Sequence, residues 1–108
     1  MRRSANAPIT VYVTAPSIKE AARIAEVLLK EKLIACANIL ESHSLYQWKG
    51  RMTKSTEAVI FMKSMQKHFK AIERSVKALS SYECPCIVAI PIVSGSKGYL
   101  AWSASALS

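Results

Sequence analysis

The chain has 108 residues, close to the commonest size of a single domain, and 51% are hydrophobic, enough for one small core. No apolar run approaches the roughly 18 residues that a membrane-spanning helix needs. The net charge of +8 admits nucleic acid or anionic ligands, but its Lys and Arg fall on the amino-terminal segment and on one side of a helix, as a solvated surface does, so nucleic-acid binding is not expected.

Met1-Arg2-Arg3 is followed by Ser4-Ala5-Asn6 and Pro8, with no apolar segment of the kind an export signal requires. Residues 1–8 read as a disordered basic tail, residues 9–108 as a single domain, and the chain as cytoplasmic. Ile9 to Ala15 is rich in β-branched residues and reads as a strand. Ser17-Ile18-Lys19-Glu20 is a capping box, in which the Ser17 hydroxyl accepts from the Glu20 amide and Glu20 reaches back. The helix it opens carries Ile18, Ala21, Ala22, Ala25, Leu28 and Leu29 as its apolar stripe, with Glu26 and Lys30 spaced for an i,i+4 pair.

Leu33 to Lys49 reads as one long strand, with a potential break near Glu41 to Ser44. Lys49-Gly50 makes a turn, and Thr56 to Lys63 returns antiparallel. Ser64 is placed to cap a second helix with the stripe Met65, Phe69, Ile72, Val76 and Leu79, and His68 falls on its exposed side. Ile87 to Val93 is the last long strand, with Pro91 marking an edge or a bulge. Tyr99 to Ala106 closes the chain as a short segment.

The order strand, helix, strand, strand, helix, strand specifies an α+β fold, a ferredoxin-like split βαβ sandwich (βαββαβ). Two helices cover one sheet face, yet the strands are apolar on both sides. A long two-stranded arm, Leu33 to Lys63, also extends beyond a compact sheet. Self-association is the natural resolution.

Strand periodicity puts Cys36, Asn38, Tyr46 and Trp48 on one face, provided no bulge intervenes. A core strand would carry Val, Ile and Leu there, so this face is built for contact. Three cysteines, Cys36, Cys84 and Cys86, are an odd number and argue for thiols rather than a disulfide framework. Cys36 reads either as a small apolar residue in a strand or as a soft-metal ligand helped by Lys63. Cys84-Pro85-Cys86 puts two thiols on one side of an extended segment, able to hold Cu(I), or else serves as apolar filler at a strand start. The aromatic set Tyr46, Trp48, Tyr82, Tyr99 and Trp102 either packs at an interface or walls a ligand pocket beside Glu57, Lys63 and Glu83.

His43 and His68, the only histidines, lack paired ligand spacing, so there is no zinc motif. The chain also lacks a Walker-type loop, a dinucleotide fingerprint and a nucleophile elbow. Its three glycines leave little room for a phosphate cradle. No catalytic set has a credible context, so the chain is not expected to be an enzyme.

Several segments together resemble the CutA family of divalent-cation tolerance proteins. Ala35-Cys36-Ala37-Asn38-Ile39 followed by Ser44-Leu45-Tyr46-Gln47-Trp48-Lys49-Gly50 is similar to the family's hallmark strand. Val11 to Ser17 resembles its first strand and helix start, Tyr82-Glu83-Cys84-Pro85 its Tyr-Glu-x-Pro element, and Tyr99-Leu100-Ala101-Trp102 its Tyr-Leu-x-Trp end. The resemblance covers residues 9 to 102 in unbroken order and implies a homotrimer. It also implies a role in tolerance of, or response to, divalent cations, copper in particular, with no cofactor required. The residues similar to the family's inter-subunit cluster are Cys36, Lys63, Tyr82, Glu83 and Trp102; with Tyr46 and Trp48 they form the expected ligand pocket.

The chain departs from the family in three places. Ser80 and Ser81 stand where the family has His-Pro, Cys86 stands where it has Glu, and the family usually continues into a longer closing helix. The exchange of hard donors for a thiol turns any metal site toward copper or another soft ion, with Cys36, Cys84 and Cys86 as candidate ligands. The alternative is a trimeric signalling or adaptor scaffold, resembling the trimeric nitrogen-regulatory signal proteins, which binds a small ligand or partner protein in its inter-subunit clefts.

Overall fold

A computed structural model of the chain describes residues 4–108. Residues 1–3 of the segment read as a tail lie outside the described residues. Residues 4–8 are bonded into the fold: the Gln66 amide donates to the Ala7 carbonyl and the Lys67 amide to that of Ala5, both at 2.9 Å.

The elements run β1 (Pro8–Ala15), α1 (Ile18–Lys30), β2 (Cys36–Trp48), β3 (Arg51–Met65), a 3-10 turn (Gln66–His68), α2 (Phe69–Leu79), β4 (Ile87–Pro91) and α3 (Lys97–Ala106). The strands form one antiparallel sheet in the order β2-β3-β1-β4. This is the expected βαββαβ arrangement with a third helix where a short closing segment was read.

Strict alternation along β1 sends Ile9, Val11, Val13 and Ala15 into the core and Thr10, Tyr12 and Thr14 to the other face. Ile60 and Met62 of β3, Ile24 and Leu28 of α1, and Ile72 and Val76 of α2 complete the buried layer. The α1 stripe is rotated from the one expected: Ala21, Ile24, Ala25 and Leu28 are buried, whereas Ile18 and Leu29 are exposed. Ile24 is the residue that centres it.

Ser64 does not cap α2. It lies within β3, buried, and its hydroxyl donates to the Leu33 carbonyl at 2.6 Å. The strand outcompetes the cap because Ile9 of β1 pairs with Ser64 in the ladder. The Gln66–His68 turn then starts the helical direction. His68 is not on a solvated face either: its Nε2 is buried without a hydrogen-bond partner.

β2 runs without a break through Glu41 to Ser44, paired residue for residue with β3 from Cys36↔Lys63 to Trp48↔Arg51. Lys49 and Gly50 both take positive φ, 51° and 77°, as a two-residue hairpin turn of the primed kind requires. β1 ends at Ala15, opposite Ala58, so residues 42–57 form a two-stranded arm beyond the main sheet. The molecule is accordingly 43 Å long and 23 Å at its narrowest.

Candidate functional site

The continuous β2–β3 register settles which side chains share a face. Cys36, Asn38, Leu40, Ser42, Ser44, Tyr46 and Trp48 line up on the side opposite α1 and α2, beside Glu57, Val59, Phe61 and Lys63 of β3. Tyr12 of β1 meets Phe61 on this open face, ring centroids 5.5 Å apart and nearly perpendicular. Two constellations stand at its opposite ends.

At the arm end a cleft of about 460 Å³ is walled by Tyr12, Thr14, Ser44, Leu45, Tyr46, Trp48 and Glu57 from the sheet and by Tyr82, Glu83, Cys84 and Cys86 from the α2–β4 loop. The loop is held in place by local bonds. The Glu20 carboxylate accepts from the Ser81 amide at 3.1 Å instead of reaching back to its own helix start; the Ser17 half of the capping box forms as expected, at 3.1 Å. The Ser80 hydroxyl accepts from the Tyr82 amide at 3.1 Å. Ser80 and Ser81 therefore both help to fix the loop. A proline at 81 would have no amide to give. Beyond the loop, the Thr14 amide donates to the Cys86 carbonyl, tying the cysteine pair to the edge of β1.

Inside the cleft Glu57 is 8% exposed, and the Tyr82 hydroxyl donates to its Oε2. Among the described residues the ion pairs are Lys70–Glu73 and Lys77–Glu73, so Glu57 has no cation beside it. Loss of water around Tyr82, then its bond to Glu57 and that carboxylate's charge, pushes the phenol well above its usual range. Cys86 is raised as well, first by desolvation of its thiol and then by Glu57 and Cys84. Both cysteines are free and exposed at the cleft.

At the other end Cys36 lies across the ladder from Lys63, and its Sγ is 3.2 Å from the Tyr99 hydroxyl of α3. That bond, with some desolvation and the charge of Cys36 behind it, lifts the Tyr99 phenol to about 12. Trp102 packs on Tyr99, ring centroids 5.7 Å apart.

The expected pocket therefore divides within one chain. Tyr46, Trp48, Tyr82 and Glu83 come together with Cys84 and Cys86, whereas Cys36, Lys63 and Trp102 gather at the far end. Ser42, which pairs with Glu57, lies six strand steps from Cys36, a span of about 20 Å at ~3.3 Å per step. Among the described residues no three His, Cys, Asp or Glu side chains converge to hold a metal ion. One chain offers two thiols at the cleft and a third elsewhere, an incomplete set for the tetrahedral four-ligand sites that zinc prefers.

Sequence reasoning missed Tyr12, Thr14 and Leu45 as cleft residues and Tyr99 as the partner of Cys36. Tyr12 and Thr14 were legible in principle, since alternation in β1 sends them to the face of Tyr46. The Tyr99 contact depends on how α3 docks, which no local pattern encodes.

Residues 9–106 match the model of a family described as CutA1 divalent ion tolerance protein. The divalent-cation tolerance protein CutA of Archaeoglobus fulgidus is 45% identical over 92 residues, 85% of this chain and 90% of that protein. The plant protein CutA, chloroplastic, of Arabidopsis thaliana is 35% identical over 95 residues, and the chain spans 52% of its length. The solved structure of the periplasmic divalent cation tolerance protein CutA from A. fulgidus superposes with a TM-score of 0.91 at 40% identity, covering 94% of this chain and 99% of that one. CutA1 from Oryza sativa superposes with a TM-score of 0.88 at 34% identity, covering 95% and 96%. The chain belongs to the CutA1 divalent ion tolerance protein family.

Proposed function

We propose that this protein acts in divalent-cation tolerance as a non-enzymatic homotrimer that holds copper or another soft metal ion through thiols at a cleft completed between subunits. The observation that carries the reading is the placement of Cys84 and Cys86 together at one cleft with the Glu57 and Glu83 carboxylates. Thiolates select soft ions, and an ion binding there must displace the thiol proton that Cys86 holds more tightly than usual. Binding then strengthens as pH rises. Cys36 and Lys63 lie at the opposite end of the open face, so a head-to-tail neighbour is the route by which they reach the cleft.

A Cu(I) titration of the fully reduced protein against a competing chelator tests this. The expected result is tight binding that is lost in the Cys84→Ser/Cys86→Ser variant. Unchanged affinity in that variant, or no competition by the wild type, overturns the thiol site.

A second reading is favoured by the walls rather than the thiols. Tyr12, Tyr46, Trp48 and Tyr82 give the cleft an aromatic lining, and its volume of about 460 Å³ lies in the usual range of small-ligand pockets. On that reading the trimer is a scaffold that senses a small ligand.

A further inference from the structure

We infer that Cys84 and Cys86 form a dithiol that reduces Cu(II) in the cleft and closes to a disulfide within one chain. This deepens the thiol reading of the cleft and rests on it. Both thiols are free and exposed, and both line the cleft. They stand on one loop with Pro85 alone between them. Two steps of the most extended chain put their Cα atoms about 7 Å apart, against the roughly 4.4–6.8 Å that a disulfide takes. Any departure from full extension brings the pair within reach.

Pro85 fixes its own φ and keeps Cys84 extended, so the link has little freedom to carry the sulfurs apart. β4 begins at Ile87, so the pair lies outside the strand ladder, and the Thr14 amide holds it at the cleft through the Cys86 carbonyl. None of this depends on assembly. A neighbour that brings Cys36 and Lys63 into the cleft leaves the link between Cys84 and Cys86 unchanged. An ammonium arriving there also favours the thiolate, the reactive form of the sulfur.

The oxidant is Cu(II), and each of two ions takes one electron. The two S–H bonds break, one S–S bond forms, both protons pass to solvent, and two Cu(I) ions result. Cu(I) is the soft ion that sulfur ligands select. The disulfide has no thiolate left to hold it, so each chain reduces once and then stops. An exposed disulfide closed over one residue is of the labile kind, which a small external thiol reopens by exchange. The step is stoichiometric and agrees with a non-enzymatic protein.

The test adds copper(II) sulfate to the full-length reduced protein without oxygen, with excess bicinchoninate reporting Cu(I) by its colour. The expected yield is about two Cu(I) per chain, as a two-electron dithiol couple requires. After alkylation, peptide mapping is expected to find Cys84 joined to Cys86 and Cys36 alkylated, and a non-reducing gel to find no chains joined. Cys84→Ser, at an exposed position, is expected to slow the reduction about tenfold or more with circular dichroism unaltered, since it leaves no second thiol on the loop. A Cys84→Ser protein that reduces Cu(II) as fast as wild type, or disulfides that join chains through Cys36, overturns the pair as the electron donor. Tight binding of Cu(I) through both thiols, with Cu(II) left unreduced, overturns the reduction while the thiol site stands. Unchanged Cu(I) affinity in Cys84→Ser/Cys86→Ser removes the thiol site and this inference with it.

Discussion

Ser81 shows how one residue fixes the cleft loop. Its amide donates to Glu20, and Ser80 before it has extended backbone, φ −74° and ψ 139°, which a following proline tolerates. Ser81→Pro therefore removes the donor to Glu20 at a position whose preceding residue already has the backbone a proline requires. It should cost about 1 kcal/mol, the usual worth of a net hydrogen bond, read as a lower urea midpoint with an unchanged slope. At this scale legibility was uneven. Cys84, Cys86, Tyr82 and Glu83 were recognisable as a cluster because they are neighbours in sequence. The bond from Tyr82 to Glu57 was not, since it joins a loop to a strand 25 residues away.

Among the elements, the junction from β3 to α2 is where local reasoning failed. Ser64 looks like a helix cap, but pairing with Ile9 keeps it in the strand, and tertiary pairing outweighs a capping preference. The displaced helix start leaves His68 with a buried, unpartnered Nε2, and burial followed by the Lys67 charge holds its pKa below 6.5. Well above pH 6.5 neither folded nor unfolded His68 carries a proton. As pH falls below that value the unfolded chain takes up a proton that the folded one resists, so stability drops until the folded pKa is passed. Urea unfolding of wild type and His68→Gln at pH 7.5 and 5 should show the larger loss in wild type; equal losses would remove His68 as the cause. The hairpin, by contrast, was legible from Lys49-Gly50 alone, because few residue pairs accept two successive positive φ values.

At the scale of the molecule, the apolar character of both strand faces was readable in the sequence, and the structure leaves it unresolved within one chain. Leu45 and Met52 on the arm are each 66% exposed, and Val88 and Ile90 of the edge strand β4 are exposed on the open face. Such surface is what an assembly covers. The division of the thiols between two ends of the sheet was not legible, because spacing along one chain says nothing about which ends neighbouring chains bring together. Subunit association and metal binding are therefore one claim. Native mass spectrometry of the reduced protein, with and without Cu(I), reads both at once. The account predicts a trimer that takes up one ion per chain. A monomer holding the same ion, or a trimer that holds none, would contradict it.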